Sequence, residues 1–179
     1  ARRAAPAQPA PATGPAGHER AEGAAEGGHE RPDPGAVGRA AQRRIDADRL
    51  YVTGLSMGGG VTWGAISEDQ SKAKQYAAAA VVCGAYYPDQ KLADVIAEDN
   101  TPVWALHNRK DPTVPSSYSE GWVADINRHV PAPNPSAKLT IFESGSHDAW
   151  TKAYDPAYKE NGMNVYEWML QFSKGAVTA

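Results

Sequence analysis

The sequence predicts an α/β protein, a parallel sheet of about four strands with helices on both faces, preceded by a disordered or irregular amino-terminal segment. Three observations carry this. Four short runs of strand-forming residues, at 50–54, 76–83, 101–106 and 138–142, alternate with stretches whose apolar residues recur at helical spacing. The run 76–83 is apolar throughout, as a strand covered on both faces must be. The first 44 residues, by contrast, hold no Leu, Ile, Met, Phe, Tyr or Trp.

That first segment cannot bury enough apolar surface to offset the entropy of ordering, so residues 1–43 are expected to be irregular. His18 and His29 fall there without thiols or carboxylates at ligand spacing, and are read as solvated side chains rather than metal ligands. Residues 44–179 form one folded domain. With 179 residues in all and 41% hydrophobic composition, one ordinary core is affordable and two are not.

A formal charge of −3 leaves no electrostatic footprint for nucleic acid or an anionic membrane. No stretch approaches the roughly 20 apolar residues that cross a bilayer, and the arginines near the start are not followed by the apolar core of a signal peptide. Cys83 is the single cysteine, so no intrachain disulfide exists; inside an apolar run it reads as a small buried hydrophobe.

Order is expected to begin at the polar turn Arg44–Arg49 and to pass into the strand Leu50–Gly54. Val61, Trp63 and Ile66 then carry a helix to about Glu68, with Asp69 and Ser71 opening a loop. The second strand, Tyr76–Cys83, stops at Gly84. Leu92, Val95 and Ile96 mark the next helix, and Thr101–Leu106 the third strand. Ser117 with Glu120 has the spacing of a capping box, ahead of a helix from Ser117 to about His129 with Tyr118, Trp122, Val123 and Ile126 on one face. Pro131, Pro133 and Pro135 enforce a loop before the strand Lys138–Phe142. Val165, Trp168, Met169 and Phe172 lie along a final helix stopped at Gly175.

In an open parallel sheet, functional groups gather beyond the carboxyl ends of the strands. Directly after the first strand stands Gly54-Leu55-Ser56-Met57-Gly58, which holds a serine on a cramped strand-to-helix turn with its hydroxyl exposed. The third strand is followed by His107-Asn108-Arg109-Lys110-Asp111-Pro112, and the fourth by Glu143-Ser144-Gly145-Ser146-His147-Asp148. A serine hydroxyl needs a base to take its proton, and the base needs a carboxylate to fix its tautomer. Ser56, His147 and Asp111 supply nucleophile, base and acid, in the chain order Ser, Asp, His. Asp148 adjoins His147 but points elsewhere in an extended loop, and Asp125 lies within a helix, so Asp111 is preferred. His107 is read as bracing the acid loop.

From about Arg44 to Phe172 the chain resembles the carboxyl-terminal half of α/β-hydrolases of the polyhydroxybutyrate depolymerase, feruloyl esterase and predicted esterase/peptidase type. The resemblance rests on Arg49–Gly59 with Ile45-Asp46, on Thr101–His107 with Asp111-Pro112 and Val114-Pro115, and on Gly145–Trp150. Tyr154-Asp155-Pro156 and Asn164–Trp168 extend it. It implies a serine hydrolase cleaving small or polymeric carboxylic esters through an acyl-enzyme, with no metal and no organic cofactor. A peptidase with the same triad, or a truncated inactive fragment, remains an alternative. The resemblance also implies secretion, and Trp150 and Tyr154 stand where they either wall the substrate or pack.

Acyl transfer needs two donors for the developing oxyanion. The Met57 backbone N–H is the expected first. The second, in such enzymes, comes from a His-Gly segment after an earlier strand, and neither His18 nor His29 follows one. Such a sheet also has strands on the amino-terminal side of the serine-bearing strand. The chain is therefore expected to lack a front half, leaving four strands rather than eight and Leu50–Gly54 at an open sheet edge.

Overall fold

A computed structural model of the chain describes residues 45–175, and the segment expected to be irregular, 1–43, lies outside them. A 3-10 turn at Ala47–Arg49 leads into β1 (Leu50–Leu55), α1 (Ser56–Ser67), α2 (Gln70–Ala73), β2 (Tyr76–Val82) and α3 (Gln90–Glu98). There follow β3 (Val103–Asn108), α4 (Ser117–Arg128), β4 (Lys138–Phe142), α5 (Trp150–Ala153) and α6 (Val165–Met169). The strands pair in parallel in the order β1-β2-β3-β4. One row of the register runs Thr53, Ala80, Trp104, Lys138 across all four.

Alternation along the two central strands sorts the core into two layers, because successive side chains of a strand point to opposite faces. Ala79 and Val81 of β2, with Val103 and Ala105 of β3, meet Trp63 and Ile66 of α1, Ile96 of α3 and Trp122 and Ile126 of α4. Ala78, Ala80 and Val82, with Trp104 and Leu106, meet Ala153 of α5 and Val165, Trp168 and Met169 of α6 on the other face. Alanine at four successive positions of β2 lets large aromatics close in from both sides. On the first face Trp63 stacks on Trp122 at 4.6 Å and 7°, and on the second Trp104 meets Trp168 edge-on at 5.4 Å.

Among the described residues β1 is an edge strand, half-buried along most of its length where β3 is buried throughout. Two hydrogen bonds tie it to the carboxyl-terminal layer: Tyr51 Oη donates to the Phe172 carbonyl at 2.9 Å, and Thr53 Oγ1 lies 2.6 Å from Tyr154 Oη.

Several boundaries differ from the sequence reading. The stretch at Asp69 and Ser71, expected as a loop, makes the one-turn α2, with Asp69 Oδ1 accepting from Ser71 N at 3.0 Å and Ser71 Oγ at 2.6 Å. No capping box forms at Ser117 and Glu120. Ser116 precedes the helix, is already helical at φ −58° and ψ −25°, and its hydroxyl turns to the Arg109 carbonyl and Glu120 Oε1. A capping box does form at α6, where Asn164 accepts from Glu167 N at 2.9 Å and Glu167 Oε2 accepts from Asn164 N at 3.0 Å. That last helix is shorter than its apolar spacing suggests: after Met169 the chain tightens into i to i−3 bonds, Gln171 N to Trp168 O and Phe172 N to Met169 O.

Candidate active site

Because all four strands run the same way, their carboxyl ends share one sheet edge, and the loops after β1, β3 and β4 converge there. Ser56 is the first residue of α1 and has φ +51°, in the left-handed region that costs a residue with a Cβ on the order of 1–2 kcal/mol. Close backbone approach imposes the turn. A Cβ on Gly54 would sit 2.3 Å from the Gly58 carbonyl oxygen, and one on Gly59 would sit 2.7 Å from Gly84 Cα. Gly58 itself has open space: among the described residues, nothing beyond its chain neighbours and its own helical backbone comes within 4 Å of a built Cβ. The crowding expected at both flanking glycines of Gly54–Gly58 is therefore real at Gly54 and shifts to Gly59 on the other side.

Ser56, His147 and Asp111 lie in one hydrogen-bonded line. His147 Nε2 is 2.8 Å from Ser56 Oγ, and His147 Nδ1 is 2.6 Å from Asp111 Oδ2. A carboxylate accepts only, so Nδ1 carries the proton and Nε2 is the bare nitrogen facing the serine hydroxyl. Asp111 Oδ1 accepts from Thr113 N at 2.8 Å and Val114 N at 3.0 Å. Burial pushes the Asp111 carboxyl upward, but the hydrogen bonds from His147, Val114 and Thr113 outweigh it and hold the pKa below its ordinary value. Asp148 is turned away, accepting from Thr151 N and Thr151 Oγ1, and Asp125 pairs with Arg128 at 2.9 Å.

His107 is fully buried beneath this line. Its Nε2 donates to the Val114 carbonyl at 2.9 Å, which leaves Nδ1 to accept from Ser119 Oγ at 2.8 Å. Burial lowers its pKa and favours the neutral ring. Asn108, at the end of β3, donates to the Ser146 carbonyl at 2.8 Å and so holds the loop that presents His147. Sequence reasoning did not single out Asn108; a polar residue ending an apolar run was the available signal. Trp150 meets the His147 ring edge-on at 5.3 Å. Tyr154 lies further down, bonded to Thr53 and stacked 6.4 Å from Tyr166. Met57, whose backbone N–H follows the serine, leaves its side chain 77% exposed.

Cys83 also reaches this edge. It follows β2 at φ +41° and is fully buried, and with Asp111 and His147 it forms a group whose potential ligand atoms lie within 4.8 Å of one another. These residues do not fit a metal ion. Burial pushes the thiol up to about 11, against backbone hydrogen bonds from Ser56 and Ala149, so the thiolate a metal needs is disfavoured. His147 Nδ1 is already committed to Asp111.

A family model described as phospholipase/carboxylesterase matches residues 35–163. A Salmonella typhi protein provisionally named carboxymethylenebutenolidase is 26% identical over 138 residues, covering 71% of this chain and 48% of its own length. Its counterpart of the same name in Escherichia coli K12 is 24% identical over the same span. The chain thus spans about half the length of the curated relatives it matches. Among solved structures, a thermostable esterase superposes with a TM-score of 0.53 at 26% identity, over 77% of this chain and 35% of the esterase. With the model matching well over half of its length, the chain belongs to the phospholipase/carboxylesterase family of α/β-hydrolases.

Proposed function

We propose that the chain is a serine carboxylesterase that works through an acyl-enzyme, with Ser56 as nucleophile, His147 as base, Asp111 as orienting acid and residues 44–179 as the catalytic domain. The observation that carries the reading is the line Ser56 Oγ, His147, Asp111 at 2.8 and 2.6 Å on a serine held at φ +51°. In this reading His147 Nε2 takes the hydroxyl proton as Ser56 Oγ attacks the ester carbonyl. The Asp111 carboxylate stabilises the imidazolium, and the same proton passes to the leaving alkoxide. Water then repeats the sequence to release the acid. The Met57 N–H is the first oxyanion donor, following the nucleophile at the start of a helix. Trp150, edge-on to His147, is positioned to wall the substrate site beside the base.

Membership of the phospholipase/carboxylesterase family and the likeness to an esterase favour ester over peptide bonds. Among α/β-hydrolases, the depolymerase and feruloyl-esterase type is the one that the Gly145–Trp150 and Asn164–Trp168 sequences resemble. A fluorophosphonate probe tests the reading directly. Labelling mapped to Ser56, abolished in Ser56→Ala, is the expected result; folded protein that never labels would overturn it.

A further inference from the structure

The outer face of α1 carries a groove that begins at the residue after Ser56. It is an open groove of about 440 Å³, a volume within the range of small-molecule sites, walled by Met57, Gly60, Val61, Ala65, Ala85 and Tyr86. The helical positions recur at three- and four-residue spacing, so they form one stripe running away from the serine. Small residues make the hollow. At Gly60 a Cβ would lie 2.6 Å from the Ala85 carbonyl oxygen, so the helix and the loop after β2 touch there and form its floor. That loop is joined to the nucleophile, because Ala85 N donates to the Ser56 carbonyl at 2.9 Å. Val61 is left 69% exposed on this stripe, beside the 77% exposed Met57.

The far end is acidic, with Glu68 and Asp69 both lining it. The Glu68 side chain folds back over Gly64, where a built Cβ would be 3.3 Å from Glu68 Oε1, and Glu68 Oε1 accepts from Tyr86 Oη at 2.5 Å. Among the described residues no lysine or arginine lines the groove. From Ser56 to Gly64 is eight residues, about 12 Å along a helix.

We propose that this groove is the acyl subsite, taking the chain of an uncharged medium-length ester, and that Glu68 at its end selects against acyl groups terminating in a carboxylate. The proposal rests on the serine-esterase reading for the placement of the scissile carbonyl at Ser56. The groove starts beside the expected oxyanion donor, offers apolar walls for the length of such a chain, and ends in a negative charge that repels another. Exposure of Glu68 keeps this discrimination modest and sensitive to salt.

The test compares kcat/KM for p-nitrophenyl acetate, p-nitrophenyl octanoate and the mono-p-nitrophenyl ester of suberic acid, which matches octanoate in length and adds a terminal carboxylate. Octanoate is expected to exceed acetate by about tenfold, the gain of partly covering several methylenes. Suberate is expected to fall several-fold below octanoate at low salt. Val61→Trp, which fills the groove from an exposed position, should collapse the octanoate-to-acetate ratio, and Glu68→Gln, which leaves Asp69 in place, should narrow the octanoate-to-suberate gap. Ratios left unchanged by both variants would overturn the proposal. A second readout does not depend on turnover: a diazirine-bearing octanol, photolysed on the protein and mapped by mass spectrometry, should mark the Met57–Glu68 and Ala85–Tyr86 peptides in the parent and not in Val61→Trp. Marking elsewhere, or a groove filled by another part of the chain, would overturn it. Loss of all hydrolysis and of fluorophosphonate labelling, with the photolabel still in the groove, would sink the esterase reading alone.

Discussion

His107 Nε2 and the Val114 carbonyl oxygen are joined by a 2.9 Å hydrogen bond in the fully buried floor of the site. Val114 N in turn donates to Asp111 Oδ1 at 3.0 Å, so one residue, Val114, stands between a strand-end histidine and the carboxylate bonded to His147. The Asp111 loop is thereby fixed to β3 and, through Ser119, to α4.

This arrangement has a pH signature. Burial lowers the folded pKa of His107 beneath its ordinary 6.5, while the unfolded chain binds a proton near that value. Between the two pKa values the unfolded state holds the extra proton, so the contribution of neutral His107 is complete above about pH 6.5 and declines as pH falls. Urea unfolding should show stability dropping from about pH 7 to about pH 5, with a flatter profile in His107→Asn. The depressed Asp111 pKa acts in a lower window, its contribution being lost only as pH falls below the ordinary carboxylate value of 3.8. An equal slope in parent and variant would show that His107 does not titrate this way.

Ser56→Ala should abolish hydrolysis of a short-chain nitrophenyl ester with circular dichroism unchanged. Asp111→Asn should lower kcat by about 10⁴, because an amide that donates to Nδ1 leaves the proton on the nitrogen facing serine. Retention of most activity in Ser56→Ala would require another nucleophile.

The glycines around Ser56 should not be equivalent. Gly54→Ala forces a methyl to 2.3 Å from a backbone oxygen, and the expected outcome is insoluble or unfolded protein. Gly58→Ala meets no described residue beyond its own helical backbone within 4 Å and lies inside α1, where alanine is favoured over glycine by about 0.5–1 kcal/mol. Thermal melts of the two variants distinguish crowding at Gly54 alone from a demand for glycine on both sides.

The stacked tryptophans differ in their polar atoms. Trp122 Nε1 donates to the Tyr86 carbonyl at 3.0 Å, whereas Trp63 Nε1 is buried with no hydrogen-bond partner among the described residues. Trp63→Phe removes an unpaired donor, and Trp122→Phe creates an unpaired acceptor. Denaturant titration should therefore find Trp122→Phe the costlier of the two by about 1 kcal/mol. The reverse order would mean that Trp63 Nε1 finds a partner in solution.

Local patterning determined the sheet. Strand-forming runs, helical spacing and the glycines around Ser56 act over a few residues, so β1, β2 and β4 are placed to within a residue or so by sequence alone. The boundary of β3 is displaced by two, because His107 and Asn108 are polar and still buried, their polar atoms satisfied by Val114, Ser119 and Ser146 from other parts of the chain. Helix ends were similarly hidden. Ser117 and Glu120 have the spacing of a cap, yet the chain enters α4 already helical at Ser116, a matter of backbone angles that residue identity does not dictate.

The site divides in the same way. Sequence places Ser56, Asp111 and His147 each just after a strand, 55 residues separating the first two and 36 the last two. Only the parallel order β1-β2-β3-β4 brings those three strand ends to one edge, and only the folded loops set the 2.8 and 2.6 Å contacts. Sequence already favours Asp111 over Asp148 and a bracing role for His107, but the contacts that realise them, through Nδ1 of His147 and through Val114 and Ser119, are long-range outcomes, as is the hollow along α1. They depend on which groups from distant segments are buried against one another, and no local pattern of residues encodes that.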